Sequence, residues 1–130
     1  MRLPPGADLK AALEALVQRR RWQACFVIAG IGSLRPARLR LAGQRTATVL
    51  KGPLEILTLM GTLGTDGAHL HIAVADARGK VTGGHLLAGA LVHTTVEALL
   101  LPLPRHRFSR EPDAATGYRE LVIRLRRSRR

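Results

Sequence analysis

The chain has 130 residues and a formal net charge of +12, with 21 Lys and Arg against 9 Asp and Glu. An apolar fraction of 46% is enough for one packed core without disulfides or a structural metal, and it excludes wholesale disorder. Aromatic residues make up only 3%, which argues against gripping single-stranded nucleic acid by stacking bases on rings.

In chain order, Asp8 follows a Pro-Pro-Gly turn and is placed to cap a helix. Leu9, Leu13, Leu16 and Val17 recur on one face of that helix, and Arg19, Arg20 and Arg21 close it where cations suit the macrodipole. From Ala24 to about Leu101 the pattern changes to short apolar runs punctuated by Gly, which is the pattern of a sheet. Strands are expected at 24–30, 37–42, 46–50, 53–63, 68–75, 80–86, 91–100 and 119–125. The segment Arg105 to Gly117 is polar and reads as an irregular loop, and the Arg-rich end, 125–130, reads as a basic tail beyond a single domain over 1–124. One long helix before a run of strands makes the class α+β, with a mainly antiparallel mixed sheet.

The strand at 53–63 is apolar on both sides, Leu57, Leu59 and Leu63 against Leu54, Ile56 and Met60. Such a strand needs cover on both faces, from a helix, from the rest of its own chain, or from a second subunit. Cys25 is the lone cysteine and lies in an apolar run, so it reads as a small buried hydrophobe. No apolar stretch reaches the roughly 18 residues that span a bilayer, and the first six residues lack a signal peptide's apolar segment. A cytoplasmic protein without a membrane partner is the expectation.

The densest chemistry lies at His69-Leu70-His71-Ile72-Ala73-Val74-Ala75, which alternates strictly and puts the histidines on one face. Asp76-Ala77-Arg78-Gly79 has the composition of a type I turn followed by a left-handed Gly, which closes a hairpin with a G1 bulge. That closure pairs Asp76 with Lys80, Ala75 with Val81, Ala73 with Gly83 and His71 with His85. His71 and His85 then stand roughly 5 Å apart across the strands, with His69 about 7 Å along the same face. Three neutral imidazoles above the small residues Ala73 and Gly83 suit zinc or another divalent transition metal, with a fourth position left for water or substrate. The alternative is three aligned surface histidines. His93 and His106 have no such geometry.

Four ordered stretches resemble one family: Gly30-Ile31-Gly32-Ser33-Leu34; Gly52 to Leu63; His69-Leu70-His71 with Asp76 to Leu86; and Gly89-Ala90-Leu91-Val92 leading into Thr94-Thr95-Val96-Glu97. Together they resemble the PPC (plants and prokaryotes conserved) domain, in its stand-alone prokaryotic form, across about residues 1–124. The resemblance implies a compact homotrimer, a DNA-binding label inherited from members that carry AT-hooks, and His-x-His and Gly-Gly-His positions that fall on His69, His71 and His85. The AT-hook core Arg-Gly-Arg-Pro is missing from this sequence.

Two functions follow. A basic trimer would contact DNA phosphates through Arg19, Arg20, Arg21, Arg35, Arg38 and Arg40 and the tail residues Arg126, Arg127, Arg129 and Arg130, without reading sequence, since the one long helix is needed for the core. Against this stands a charged surface that is merely solvated. A metal-dependent enzyme or small-ligand-binding protein would use the open position, with Glu97, or less well Glu55, as a candidate base. A metal that only staples the hairpin or the subunits is the structural alternative.

Overall fold

The computed structural model describes residues 1–126. Strand β1 (Arg2–Leu3) precedes the helix α1 (Leu9–Arg20), and nine strands follow: β2 (Ala24–Leu34), β3 (Ala37–Arg40), β4 (Thr48–Leu50), β5 (Leu54–Gly64), β6 (Gly67–Ala75), β7 (Val81–Leu86), β8 (Val92–Pro102), β9 (His106–Pro112) and β10 (Arg119–Leu125). The first eight strands form one sheet in the order β1-β8-β2-β5-β6-β7-β3-β4, and β9 and β10 form a separate ribbon. All strand pairings among the described residues are antiparallel. The α+β expectation therefore holds, with an antiparallel rather than a mixed sheet.

Asp8 caps α1 as expected, its Oδ1 accepting from the Ala11 amide at 3.0 Å. Its Oδ2 accepts from the Gly89 amide at 2.6 Å, so the cap also ties the helix to the turn before β8. Leu9, Leu13 and Val17 are buried against one face of the sheet, with Val27, Leu59, Leu63, Leu70, Ile72 and Val74 in the same core. Leu16, assigned to that helical face, is only partly buried. Cys25 is fully buried, and burial pushes its thiol up to about 11, leaving it protonated at neutral pH.

Two β-bulges set what the opposite, outer face of the sheet carries. In β5 the register slips between Ile56 and Thr58, so Leu57 and Thr58 oppose one position on β6. This corrects the simple alternation expected for that strand. Leu54, Ile56, Leu59 and Leu63 all point to the core, while Leu57 and Met60 point outward. A second slip, between Val27 and Ala29, leaves Ile28 and Ala29 both outward and so turns Ile31 outward in β2. Ile31, Met60 and Leu99 remain 58%, 56% and 62% exposed, so a single chain covers this strand on one side only.

The segment expected to be an irregular loop instead contains β9. It pairs with β10 from His106↔Leu125 to Pro112↔Arg119. The expectation failed because only Phe108 and Ser109 are buried there, which leaves no apolar alternation to read. The Phe108 ring meets Phe26 edge-on, with centroids 5.3 Å apart. The Phe108 amide donates to Gln23 O at 2.9 Å, and Thr65 Oγ1 donates to Phe108 O at 3.1 Å. These contacts hold the ribbon at the end of the sheet where β5 turns into β6. Leu125 closes β10 and the Arg126 amide donates to Arg105 O at 2.8 Å, so the ribbon reaches into the segment expected to be tail. Arg127, Arg129 and Arg130 lie outside the described residues.

Candidate metal centre

The β6–β7 hairpin closes as its turn chemistry dictates. Gly79 has φ +76°, the left-handed conformation that a side chain disfavours, and its amide donates to Asp76 O at 2.9 Å. Asp76 Oδ1 accepts from the Arg78 amide at 2.8 Å and from the Lys80 amide at 3.0 Å. These bonds lock the register Ala75↔Val81, Ala73↔Gly83 and His71↔His85. All five residues of β6 and β7 that matter to the triad fall where the alternation puts them.

His69, His71 and His85 meet on the outer face, with one ring nitrogen from each lying within 4.8 Å of the others. Their ring centroids are 5.0 Å (His69–His71), 5.1 Å (His69–His85) and 5.8 Å (His71–His85) apart. His69 Nε2 and His71 Nε2 are 3.2 Å apart. Two imidazoles on a tetrahedral ion with bonds of about 2.0–2.1 Å would have their nitrogens about 3.3 Å apart. His85 Nδ1 is buried without a hydrogen-bond partner, a cost that a ligand there would remove. The donor set fits a borderline divalent cation, held by three neutral imidazoles.

The local environment favours the neutral form of His85 and of His69. Burial pushes His85 down to about 4, helped by the positive charges of His69, Arg40 and His71. His69 is also lowered, first by burial, then by Arg110 and His71, with Glu120 opposing. A histidine lowered by folding takes up its proton in the unfolded chain first, so protonation favours unfolding. As the histidines of the metal-free protein titrate, it is expected to lose stability as pH falls from about 6.5 towards 4. Their contribution is flat between about 6.5 and the alkaline range where the Cys25 thiol begins to ionise. Urea midpoints at pH 7.5 and 5.0 check this, and a His85→Ala variant should lose most of the difference.

Two residues of the site, Arg110 on β9 and Glu120 on β10, were not singled out by the sequence, which showed β10 as a strand but not β9. Arg110 Nη2 lies 2.8 Å from His69 Nδ1 and 3.1 Å from Thr62 Oγ1. The Arg110 amide donates to Asp66 Oδ2 at 2.7 Å, and its Nη1 is 3.9 Å from Glu120 Oε2. One signal pointed there: the expected strand at 119–125 lacked a partner, and the Asp113–Gly117 turn makes 106–112 the nearest one.

Of the candidate bases, Glu97 lies on β8, with β2 and β5 between it and the β6 histidines. At about 4.8 Å per strand that is some 14 Å away. Glu55 pairs with Ala75, four residues along β6 from His71. The triad's own carboxylate neighbour is Glu120. Among the arginines, Arg40 pairs with His85 and stands at the site. Arg19, Arg20, Arg21, Arg35, Arg38 and Arg126 are exposed, with Arg21 just before β2 and Arg35 just after it. An 11-residue strand separates those two, roughly 35 Å of extended chain, so they do not form one patch.

Residues 1–104 match the Plants and Prokaryotes Conserved (PCC) domain. Bifunctional protein GlmU from Synechococcus strain JA-2-3B'a(2-13) is 54% identical over 95% of this chain, and that from strain JA-3-3Ab is 52% identical over the same share. The chain spans about a fifth of the length of these curated relatives, 20% in each case. Among solved structures, a hypothetical protein from Salmonella shares 43% identity with a TM-score of 0.94, covering 97% of this chain and 91% of that one. The metal-containing protein AF0104 from Archaeoglobus fulgidus shares 28% identity with a TM-score of 0.82, over 94% and 90% of the two chains. A Ralstonia eutropha protein described as a proposed DNA-binding protein has the same fold at 23% identity and a TM-score of 0.84, over 94% and 88%.

Proposed function

The chain belongs to the Plants and Prokaryotes Conserved domain family, and from that premise we propose that it is a metal-binding module that presents a three-histidine centre to a small ligand. The observation that carries this reading is the convergence of His69, His71 and His85, where His85 Nδ1 is buried with no hydrogen-bond partner among the described residues. The metal-containing description of the Archaeoglobus relative supports it. Those three residues would hold a divalent transition metal, zinc first among them. Such an ion supplies Lewis acidity and a lowered pKa for bound water. Around it the chain's own residues set the site: Ala73 and Gly83 leave room above the sheet, and Arg110 and Arg40 bring positive charge.

The working unit of this proposal is a homotrimer, in which other subunits cover the outer apolar face of Ile28, Ile31, Leu57, Met60, Leu99 and Leu101. No helix of the described residues is long and apolar enough to cross a membrane, and the setting proposed is the cytoplasm.

DNA binding is the second reading. It rests on the charge of +12 and on the description carried by the Ralstonia fold neighbour. Contacts through Arg19–Arg21, Arg35, Arg38 and the C-terminal arginines would be to phosphates, and a trimer would multiply them. The separation of Arg21 from Arg35 by the length of β2 favours the metal reading as primary.

One experiment tests the primary reading. Elemental analysis of untagged protein, on the species whose mass is measured by light scattering, should find near-stoichiometric transition metal on a particle of about three chains. Protein that carries no metal and takes up none on titration would remove the proposal and leave the basic surface as the functional lead.

A further inference from the structure

The cleft beside the triad is lined by four arginines against two acids. Arg110 enters from β9, Arg40 from β3, and Arg45 and Arg119 line the same space. Glu120 and Asp66 are the acids on its wall. Asp66 is occupied by the Arg110 amide, and Glu120 stands 3.9 Å from Arg110 Nη1, too far for a hydrogen bond. The cleft is open to solvent and has a volume of about 1060 Å³, more than one ion and its water require.

The contact between Arg110 and His69 is the informative one. A guanidinium only donates hydrogen bonds, so at 2.8 Å it is satisfied by His69 Nδ1 while that nitrogen keeps its lone pair. A cation held through His69 Nε2 leaves the proton on Nδ1, and donor then faces donor. Arg110 must turn its N–H to another acceptor in the cleft. The same event adds two positive charges beside Arg110 and Arg40. Both changes call for an acceptor that carries negative charge.

We propose that the cleft binds a small molecule through a carboxylate or phosphate group, one oxygen of which takes the open position on the metal while another accepts from Arg110, with Arg40 adding charge. This rests on the reading of the triad as a metal centre. Either group suits the site, because each offers the guanidinium a second charged oxygen once the first is on the metal. The cleft walls beyond the triad, with Tyr118 and Gln44 among them, leave room for the rest of the molecule.

The test uses the full chain loaded with cobalt(II), whose visible absorption reports its ligands, titrated in parallel with inorganic phosphate and with acetate. A saturable spectral change with at least one anion is expected, and the stronger of the two identifies the group. Removing a charge-assisted contact should weaken that anion by about tenfold or more in Arg110→Gln, compared at matched cobalt content. Arg40→Gln, a variant of an exposed residue, should weaken it less. A spectrum that neither anion alters overturns the proposal and leaves the metal centre standing, as it would if Glu120 itself filled the open position. So does an affinity unchanged in both variants. A chain that takes up no cobalt overturns the metal reading and this inference with it.

Discussion

Replacing His85 by Ala should take the bound metal from about one ion per chain to a small fraction, with the affinity falling by more than the roughly 10–100-fold that outer-shell changes cost. His85 is the ligand that the second strand of the hairpin contributes, directly opposite His71. Without it, two imidazoles remain on one strand, and a pair is a poor site for a tetrahedral ion. The fold should survive, because His85 Nδ1 makes no hydrogen bond to lose and the side chain is only partly buried. Elemental analysis of His85→Ala beside His93→Ala separates the triad from general histidine chemistry, since His93 is an exposed residue of β8. Equal metal in the two variants would remove His85 from the site.

The largest expected effect on stability comes from a residue that touches no ligand. Gly61 adopts φ +150°, and a Cβ there would stand 2.1 Å from the His69 carbonyl oxygen and 2.9 Å from Leu70 Cα. Both neighbours are backbone of β6 and have nowhere to go. A Gly61→Ala change must therefore part β5 from β6 at the residue that carries His69, at a cost of about 3–5 kcal/mol. Gly32 is its counterpart, with φ +134° and a Cβ that would meet Thr95 O at 2.1 Å, but it lies between β2 and β8, away from the triad. Urea unfolding should show a large loss of stability in both variants, whereas metal content per folded chain should fall only in Gly61→Ala. A Gly61→Ala protein as stable as the parent would defeat the argument from close approach.

The histidine hairpin was legible from residues because every constraint on it is local. A period of two assigns the faces, and the Asp76–Gly79 turn sets the register within a dozen residues. His71↔His85 and Ala73↔Gly83 follow from those two facts alone. The helix was legible for the same reason, since its cap and its apolar spacing sit within one segment. Most strands of the main sheet were found within a few residues of their ends.

Tertiary structure decided the rest. The bulges at Ile28 and Leu57 change which side of the sheet each later residue faces, and no composition signal marks them. They divide an apolar strand between the core and an exposed face. The ribbon of β9 and β10 buries so little apolar surface that its first strand shows no pattern, yet it delivers Arg110 to His69 across 41 residues of sequence. The three imidazoles and their register could be read from local sequence, because neighbours along a hairpin fix one another. What stands beside them, the Arg110 guanidinium in place of the expected Glu97 or Glu55, was decided by the packing of a distant segment, which short-range periodicity does not encode.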